Sequence, residues 1–354
     1  MTALTSLRYP ALKTFSIARS GLYFAESLPL TILASVFVGR GRDELVDADK
    51  LKYLWRSIKQ LHEQDIQNIE RGLYPPSVLS PASPKEHFVS LVKLWRDAAE
   101  VAWRMRHRKF RHFRNDAKDL LDDVPEYYRR NFHFQTDGYL SETSASLYDH
   151  QVDVLFSGAA DAMRRLVIPP LRSHLKMMER SNLLELGCGP GSATTALAKA
   201  FPKTKITAVD LSSPYVKTAQ SRLKKYPRVD CIQGDAAHPP FKDASFDAVT
   251  SVFMFHELPQ EVRLQILREA GRVLKPNGVL VIADSIQWND DANFNWALER
   301  FPTNYHEPFY RNYIHTPLLD LFREAGFSTV NQNHGFLTKV VWAPKSSSFK
   351  RSKV

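Results

Sequence analysis

The stretch Leu183-Leu-Glu-Leu-Gly-Cys-Gly-Pro-Gly191 decides the fold of this 354-residue chain. It is a short apolar run that ends in three glycines, and the helical pattern Ser192-Ala-Thr-Thr-Ala-Leu-Ala-Lys199 follows it directly. This order predicts a buried strand, a tight turn and a helix, which together form the first unit of an open α/β sheet. Glycine suits such a turn because it adopts backbone angles that other residues resist, and because a ligand then lies against bare backbone. We therefore expect a nucleotide-like ligand at the carboxyl end of this strand.

A second predicted strand, Lys205-Ile-Thr-Ala-Val-Asp210, ends in a carboxylate about twenty residues beyond the turn, the usual position of an acid that binds ribose hydroxyls. Dinucleotide-binding and S-adenosylmethionine-binding proteins share this feature, and a purely structural turn is the alternative to both. The glycine spacing here is Gly-x-Gly-x-Gly, and Ser192 stands where the dinucleotide pattern has its third glycine. This spacing favours the methyl donor, S-adenosylmethionine.

The region from about 180 to 285 resembles a class I S-adenosylmethionine-dependent methyltransferase. Residues 185–191 are similar to the first motif of that family, and Asp210 is similar to its ribose-binding acid. Gln233-Gly-Asp-Ala236 resembles the motif after the third strand, 246–253 the fourth strand, and 269–284 the helix, turn and fifth strand. Motifs in this order are specific for the cofactor class and weakly informative about the methyl acceptor.

The resemblance implies an α/β fold with a Rossmann-like, seven-stranded methyltransferase sheet and S-adenosylmethionine as cofactor. It also implies which residues bind the donor: Glu185, Gly187, Cys188, Gly189, Gly191, Asp210, Leu211, Asp235, Ala236 and Tyr148. Asp235 would face the adenine amino group. For Tyr148, packing in the core is the alternative to donor contact.

His256 follows the fourth predicted strand, where such enzymes place groups that face the transferred methyl group. It is the candidate catalytic residue, as a base or hydrogen-bond partner on the acceptor side, and capping of the next helix is the alternative. Spacings typical of metal ligands, such as His-x-x-x-His or paired cysteines, are missing from the sequence, so we expect no metal.

Hydrophobic periodicity indicates how the chain is divided into domains. Apolar residues recur at helical spacing over 45–69 and again over 88–105, which predicts an all-helical accessory domain at 1–125. The Rossmann-like domain is then expected at 126–345, with a lid insertion at about 286–316 and a flexible basic tail at 346–354. The lid is rich in aromatic residues, which predicts either an apolar acceptor site or simple packing of the lid. Closing strands are predicted at 327–331 and 336–342.

The net charge is +10, and much of the excess lies between Arg104 and Arg114 and in the tail. Such strips are typical of solvated helix faces or flexible ends, and contact with phospholipid, an acidic substrate or nucleic acid is the alternative. The residues after the fourth strand, Phe253-Met-Phe-His-Glu257, lack the Asn/Asp-Pro-Pro-aromatic pattern of enzymes that methylate amino groups of bases. Nucleic acid is therefore disfavoured as a partner.

Residues 15–39 are mostly apolar, but Glu26 and Pro29 interrupt them, and a charge at the centre of a bilayer is costly. We expect a helix packed on the domain or lying at a membrane surface rather than a membrane-spanning helix, with a cleaved targeting peptide as the alternative. Only two cysteines occur, Cys188 and Cys231, which argues against a disulfide framework and fits a reducing compartment. The expected location is cytoplasmic, with peripheral contact to a membrane as a further hypothesis.

The sequence thus predicts methyl transfer to a small, hydrophobic or aromatic acceptor, with motifs that resemble the quinone-type branch of the family. Methylation of RNA or protein is the alternative activity, and a donor-binding scaffold without turnover is the alternative outside catalysis. The oligomeric state is not predicted.

Overall fold

The computed structural model describes residues 3–38, 47–79, 83–175 and 180–346. The predicted tail, 346–354, therefore lies outside the described residues except for Ser346.

A seven-stranded sheet forms the centre of the fold, in the order β3-β2-β1-β4-β5-β7-β6. The strands are β1 Asn182–Leu186, β2 Lys205–Asp210, β3 Val229–Gln233, β4 Phe246–Val252, β5 Leu274–Ser285, β6 Asn331–Gly335 and β7 Thr338–Pro344. The first five strands are parallel, and β7 pairs antiparallel with both β5 and β6. The inner strands read as continuous apolar runs because helices cover both faces of the sheet. This arrangement confirms the predicted fold class.

Seven helices of the described residues precede β1. They are α1 Ala3–Val38, α2 Ala48–Glu70, α3 Pro84–His107, α4 Asn115–Lys118, α5 Glu142–Leu155, α6 Ala160–Arg165 and α7 Ile168–Leu175. The N-terminus of α2 is capped by Asp47, and α3 begins with a capping box formed by Ser83 and Glu86. The prediction that the N-terminal region is helical is confirmed.

Six further helices connect or follow the strands of the described part. They are α8 Ser192–Ala200, α9 Ser213–Leu223, α10 Gln260–Val273, α11 Asn295–Tyr305, α12 Tyr310–His315 and α13 Leu318–Glu324. Ser212 caps α9 by accepting a hydrogen bond from Tyr215 N. Helices α11 and α12 lie in the segment that the sequence predicted as a lid.

Helix α2 packs on the sheet domain through apolar and charged contacts. Ile58 and Leu61 are buried in the same apolar cluster as Leu183 of β1. Arg165 of α6 donates two hydrogen bonds to the carboxylate of Asp65, from Nε at 2.9 Å and from Nη2 at 2.7 Å. The first part of the chain therefore shares a core with the sheet.

Polar residues of helix α1 contact the rest of the protein. Arg19 donates to Asp153 at 2.8 Å, Ser20 Oγ lies 2.8 Å from His62 Nε2, and the Glu26 carboxylate accepts from His87 Nε2 at 2.6 Å. Within the described ranges, no helix combines the length and the apolar character that crossing a membrane requires.

The closing hairpin begins later than the sequence predicted. Residues 327–330 do not form a strand, and β6 covers Asn331–Gly335 instead. Phe327 is only 1% exposed and packs against Phe322, with ring centroids 5.6 Å apart. Its apolar side chain anchors the end of α13 in the core, which explains why hydrophobicity alone misplaced the strand.

Candidate active site

The turn after β1 lies where the strand order reverses, since β2 flanks β1 on one side and β4 on the other. Such a reversal is the usual ligand site of open α/β sheets. Gly187, Gly189 and Gly191 have φ angles of +71°, +55° and +83°. A Cβ on Gly187 would lie 2.5 Å from Met254 Sδ, and one on Gly191 would lie 3.0 Å from Leu223 Cδ1, whereas one on Gly189 would meet nothing within 4 Å. The lack of a side chain at Gly187 and Gly191 therefore permits close packing against Met254 and Leu223, whereas Gly189 lies next to open space.

Asp210, the last residue of β2, holds this turn from the side. Its Oδ2 accepts a hydrogen bond from Gly189 N at 2.8 Å, and its Oδ1 accepts one from Ser212 N at 2.9 Å. Burial raises the pKa of Asp210 to about 6, although the backbone hydrogen bonds act in the opposite direction. At neutral pH the carboxylate is therefore ionised, with lone pairs left for a ligand.

A pocket opens above the carboxyl ends of β1, β2 and β4. Its lining contains the following residues predicted to bind the donor: Glu185, Gly187, Cys188, Gly189, Asp210, Leu211, Asp235, Ala236 and Tyr148. Gly191 is not among the lining residues and lies behind the turn, against α9. The structure thus brings together residues that are up to 88 positions apart in sequence, from Tyr148 to Ala236 (236 − 148). We call this cavity the donor pocket.

Aromatic side chains that precede β1 also line the donor pocket. They are Tyr127, Tyr128, Phe132, Tyr139 and Tyr148. Phe132 and Tyr139 stack with their ring centroids 5.4 Å apart. Tyr148 packs edge-on against Tyr139 and Tyr215, so it belongs both to an aromatic cluster and to the pocket wall. Of these five aromatic residues, the resemblance to the family singled out only Tyr148.

Arg164 is a lining residue of the donor pocket that sequence reasoning missed. Its side chain is buried and contacts Asp161 at 2.9 Å and Asp149 at 3.5 Å. Nothing in the sequence distinguishes it from its neighbour Arg165, which binds Asp65 outside the pocket.

Burial raises the pKa of Glu185, another lining residue of the donor pocket, to about 8, so this acid is protonated at neutral pH.

A second cavity adjoins the donor pocket and shares Tyr148, Phe253 and Glu257 with it. The apolar part of its lining comes from α5, α11 and flanking segments: Val152, Leu155, Phe156, Ala297, Leu298, Phe301 and Leu337. Its polar lining residues are His133, His256, Glu257, Ser285 and Tyr310. We call this cavity the acceptor pocket.

His256 lies in the short helical turn Phe255–Glu257 after β4 and lines the acceptor pocket. Its Nδ1 is 2.7 Å from Asp284 Oδ1, and its Nε2 is 3.7 Å from Glu257 Oε1. Burial opposes a charge on the ring, but the Asp284 carboxylate outweighs it and holds the pKa of His256 above its ordinary value. Asp284 also accepts hydrogen bonds from Phe255 N and Ser285 N, each at 2.7 Å, which fixes its orientation.

Glu257 lines both pockets and lies in a group of half-buried and buried acids and histidines. Its Oε1 accepts a hydrogen bond from Tyr139 OH at 2.5 Å and lies 3.4 Å from His133 Nε2. His133 Nε2 is also 3.3 Å from Glu307 Oε1. Burial raises the pKa of Glu307 well above its ordinary value, and the charge of Glu257 adds to this shift. No short motif contains these residues, so their meeting could not be predicted from the sequence.

Comparison with known proteins agrees with this geometry. Residues 183–278 match the family model of a methyltransferase domain. The chain is 32% identical over 152 residues to a demethylmenaquinone methyltransferase of Lactiplantibacillus plantarum, which covers 42% of this chain and 62% of that protein. It is also 32% identical over 142 residues to phthiotriol/phenolphthiotriol dimycocerosates methyltransferase 1 of Mycobacterium ulcerans, which covers 38% of this chain and 51% of that protein.

A solved S-adenosylmethionine-dependent methyltransferase of Methanosarcina mazei is 19% identical, with a TM-score of 0.41, and the match covers 50% of this chain and 97% of that one. The chain spans less than two thirds of the length of the two curated relatives named above. The family match covers the glycine turn, the acid of β2 and the strands on both sides of them. Residues 183–278 are therefore a methyltransferase domain, similar in its motifs to the class I S-adenosylmethionine-dependent methyltransferases.

Proposed function

We propose that this chain transfers the methyl group of S-adenosylmethionine to a small, largely apolar acceptor that carries an aromatic or quinone-type ring. The single observation that supports this most strongly is the contact between two cavities of different character. The donor pocket contains the family's cofactor motifs, the acceptor pocket is mostly apolar, and Tyr148, Phe253 and Glu257 line both. A donor in one cavity and an acceptor in the other would meet at this shared wall.

In this proposal the donor lies over the glycine turn, with its ribose hydroxyls bound to Asp210 and its adenine amino group facing Asp235. Leu211 and Ala236 supply apolar contacts to the base. Arg164 is the buried cation available for the donor's carboxylate, because a guanidinium binds carboxylates with directed hydrogen bonds. We therefore add Arg164 to the donor-binding residues inferred from the sequence.

The donor's sulfonium is already activated, so the protein mainly aligns the reactants and excludes water. The apolar side chains of α5 and α11 would hold the acceptor, with Phe301 as the largest of them. His256 would receive the acceptor's proton, because Asp284 holds Nδ1 and leaves Nε2 on the side of Glu257. This orientation supports the role of base over that of helix cap.

The relatives' names also favour a lipophilic acceptor. One relative is named for a demethylmenaquinone and another for phthiotriol and phenolphthiotriol dimycocerosates. Methylation of RNA or protein is the competing proposal. The lining of the acceptor pocket favours a slim, apolar molecule over a charged polymer, since its ionisable side chains are two histidines, one glutamate and two tyrosines.

Transfer of a labelled methyl group tests this proposal. The full-length protein is incubated with S-adenosylmethionine labelled in the methyl group and with a long-chain hydroquinone, a water-soluble phenol, total RNA or a protein extract. We expect label in the long-chain hydroquinone. Phe301→Ala should lower kcat/KM for that acceptor by roughly tenfold, because burial of a large apolar side chain contributes about 1.5–3 kcal/mol. The Kd for the donor, measured by calorimetry, should not change in this variant.

Two results would contradict the proposal. Label in RNA or protein would support the competing activity, and donor binding without label in any fraction would support a scaffold without turnover.

We further propose that the outer faces of α1 and α3 contact an anionic membrane surface, where a lipophilic acceptor would be found. The large apolar side chains exposed in the described residues all lie on these two helices: Phe15, Leu22, Leu28, Phe88, Val89, Trp95 and Trp103. On α3, exposed Lys85, Lys93 and Arg96 accompany them, which suits anionic headgroups. In this view residues 1–125 form an accessory domain that serves the membrane, and the protein acts at the cytoplasmic side.

A further inference from the structure

His133, Glu257 and Glu307 come from three separate segments and meet where the acceptor pocket adjoins the donor pocket. His133 Nε2 lies 3.3 Å from Glu307 Oε1 and 3.4 Å from Glu257 Oε1. One ligand atom from each residue lies within 4.8 Å of those of the other two. Ligand atoms about 2.1 Å from a tetrahedrally coordinated ion are about 3.4 Å from one another. The spacing of the three side chains is therefore that of metal ligands.

The burial of Glu307 is the second observation. Its side chain is 0% exposed, and among the described residues neither of its carboxylate oxygens makes a hydrogen bond. A buried acceptor without a partner is costly, and a buried carboxylate is costlier still. The ion pairs that the structure shows for Glu257 and Glu307 are with histidines. Over the described ranges, these ion pairs thus include no lysine or arginine paired with the two acids.

The surroundings of the three side chains also resemble those of metal ligands. Tyr139 OH donates to Glu257 Oε1 at 2.5 Å, the kind of outer contact that orients a coordinating carboxylate. His133 has a φ angle of +54°, a conformation that side chains rarely adopt and that is enriched at functional sites. His133 and Glu257 line the acceptor pocket, so an ion bound between them would be accessible from it.

We infer that His133, Glu257 and Glu307 form a binding site for a divalent transition-metal ion that faces the acceptor pocket. One imidazole and two carboxylates suit an ion of the series from Mn²⁺ to Zn²⁺, because imidazole disfavours Mg²⁺ and Ca²⁺ while the carboxylates supply negative charge. Three protein ligands leave a coordination position for the acceptor, as in catalytic metal sites. The sequence did not suggest this site because its ligands lie 124 and 50 positions apart, from His133 to Glu257 (257 − 133) and from Glu257 to Glu307 (307 − 257).

This inference rests on the proposed methyl transfer and adds the chemical class of the acceptor. An acceptor with a phenolic or enolic oxygen would coordinate the ion, which lowers the pKa of its hydroxyl group. The hydroxyl proton then passes to His256 Nε2. The acceptor forms a bond to the methyl carbon while the carbon–sulfur bond of the sulfonium breaks, and the electron pair of that bond remains on sulfur as a thioether. Charge is conserved without any oxidant or reductant.

Titration with Co²⁺ in the absence of donor tests the site directly. The full-length protein is first dialysed against a chelator, and binding is followed by visible absorption and by calorimetry. Glu307→Gln keeps the shape of the side chain and removes its charge. We expect Co²⁺ affinity to fall by at least about a hundredfold, beyond the roughly 10–100-fold that loss of an outer contact costs. The dialysed variant should unfold at about the same temperature as the dialysed parent, because glutamine has the same shape and neither carboxylate oxygen of Glu307 makes a hydrogen bond that the substitution would break.

The chain offers a matched control. Glu26, His87 and His150 form another group with metal-ligand spacing, between α1, α3 and α5 and away from both pockets. His87→Asn should leave the Co²⁺ site in the acceptor pocket unchanged. Co²⁺ binding that is lost in Glu307→Gln and kept in His87→Asn supports the inference. Binding that is absent in the parent protein, unchanged in Glu307→Gln or lost only in His87→Asn overturns it.

A measurement of donor binding separates a failure of this inference from a failure of the proposed function. If S-adenosylmethionine binds the parent protein but Co²⁺ does not, the metal site is wrong and the proposed methyl transfer stands. If the donor does not bind at all, the proposed function fails even when Co²⁺ binds.

Discussion

In the proposed donor site, Gly189 is the residue on which we expect donor binding to depend most directly. A side chain there would extend into open space next to Asp210, where we expect the donor to lie. Gly72 at the end of α2 offers a matched control, because its φ angle is +69° and a Cβ there would also meet nothing within 4 Å. Comparison of the two positions therefore separates backbone strain from occupation of the donor pocket.

We predict that Gly189→Ala and Gly72→Ala lower the free energy of unfolding by a similar amount, about 1–2 kcal/mol, because alanine resists the left-handed conformation. Only Gly189→Ala should weaken binding of S-adenosylmethionine, by tenfold or more. Chemical denaturation and calorimetry measure the two effects. Equal donor affinity in both variants would contradict the position of the donor over this turn.

Asp210 should make donor binding depend on pH. Burial raises the pKa of Asp210 to about 6, so the carboxylate is ionised above that pH and protonated below it. Ribose hydroxyls donate to the ionised form, and the donor's sulfonium also favours it. Donor affinity should therefore be nearly constant from pH 7 down to about 6 and then fall, by at most about tenfold per pH unit.

Asp210→Asn is the control for this prediction. It should lower donor affinity about ten- to hundredfold at pH 7, the range expected for hydrogen bonds to a charged group, and it should remove the fall between pH 6 and pH 5. Calorimetry at each pH measures both. A fall that persists in the variant would assign the titration to another group.

The donor pocket and the acidic group beside the acceptor pocket differ in how far sequence could predict them. Gly187, Gly189, Asp210 and Asp235 lie at strand ends within recognisable motifs, and the parallel sheet brings strand ends together. The meeting of His133 with Glu307 instead depends on how two irregular segments pack. No periodicity encodes that packing, so the sequence carries no signal that these two residues meet.

At the scale of secondary structure, buried charge ties α2 to the sheet domain. Asp65 of α2 is 3% exposed, accepts two hydrogen bonds from Arg165 and accepts a third from Tyr74 OH at 2.6 Å. Glu63 on the same helix pairs with Lys13 at 2.8 Å, but its side chain is half exposed. The buried pair joins α2 to Arg165 of α6, and the exposed pair joins it to Lys13 of α1.

We predict that Asp65→Asn lowers the free energy of unfolding by about 3–5 kcal/mol, because it leaves the buried guanidinium of Arg165 without its counter-charge. Glu63→Gln, the matched control, should cost about 0.2–1 kcal/mol, because water screens an exposed pair. Urea denaturation of both variants measures the difference. Similar values for the two would show that burial does not decide the strength of these pairs.

The elements themselves were largely predictable, since caps and periodicity mark α2, α3 and α9 in the sequence. The orientation of α1 was not. Its inner face carries Arg19, Ser20 and Glu26, and these contact partners far along the chain. The same face also buries Tyr23 against Leu94 and Val154, so polar partners and apolar contacts on other elements together orient the helix. Hydrophobicity along α1 alone does not encode these partners.

For the whole molecule, the orientation of α1 leaves large apolar side chains exposed on its outer face. Their exposure to water costs free energy. Leu22 is 52% exposed on α1, and Phe88 is 64% exposed on α3. The two helices contact each other through Glu26 and His87, so their outer faces are neighbours. Burial of these side chains in a membrane surface would remove the cost of their exposure and bring the protein to a lipophilic acceptor.

We predict that the full-length protein cosediments with vesicles that contain phosphatidylserine, and that binding weakens as salt concentration rises, because lysine and arginine on α3 contribute to it. Leu22→Ser combined with Phe88→Ser should lower vesicle affinity at least about a hundredfold, since each side chain contributes roughly 1.5–3 kcal/mol when buried. Kd for the donor should not change, because neither residue lines a pocket. If the parent protein instead forms a stable dimer and ignores vesicles, and the double variant is monomeric, then a second copy of the chain covers this surface and the membrane proposal is wrong.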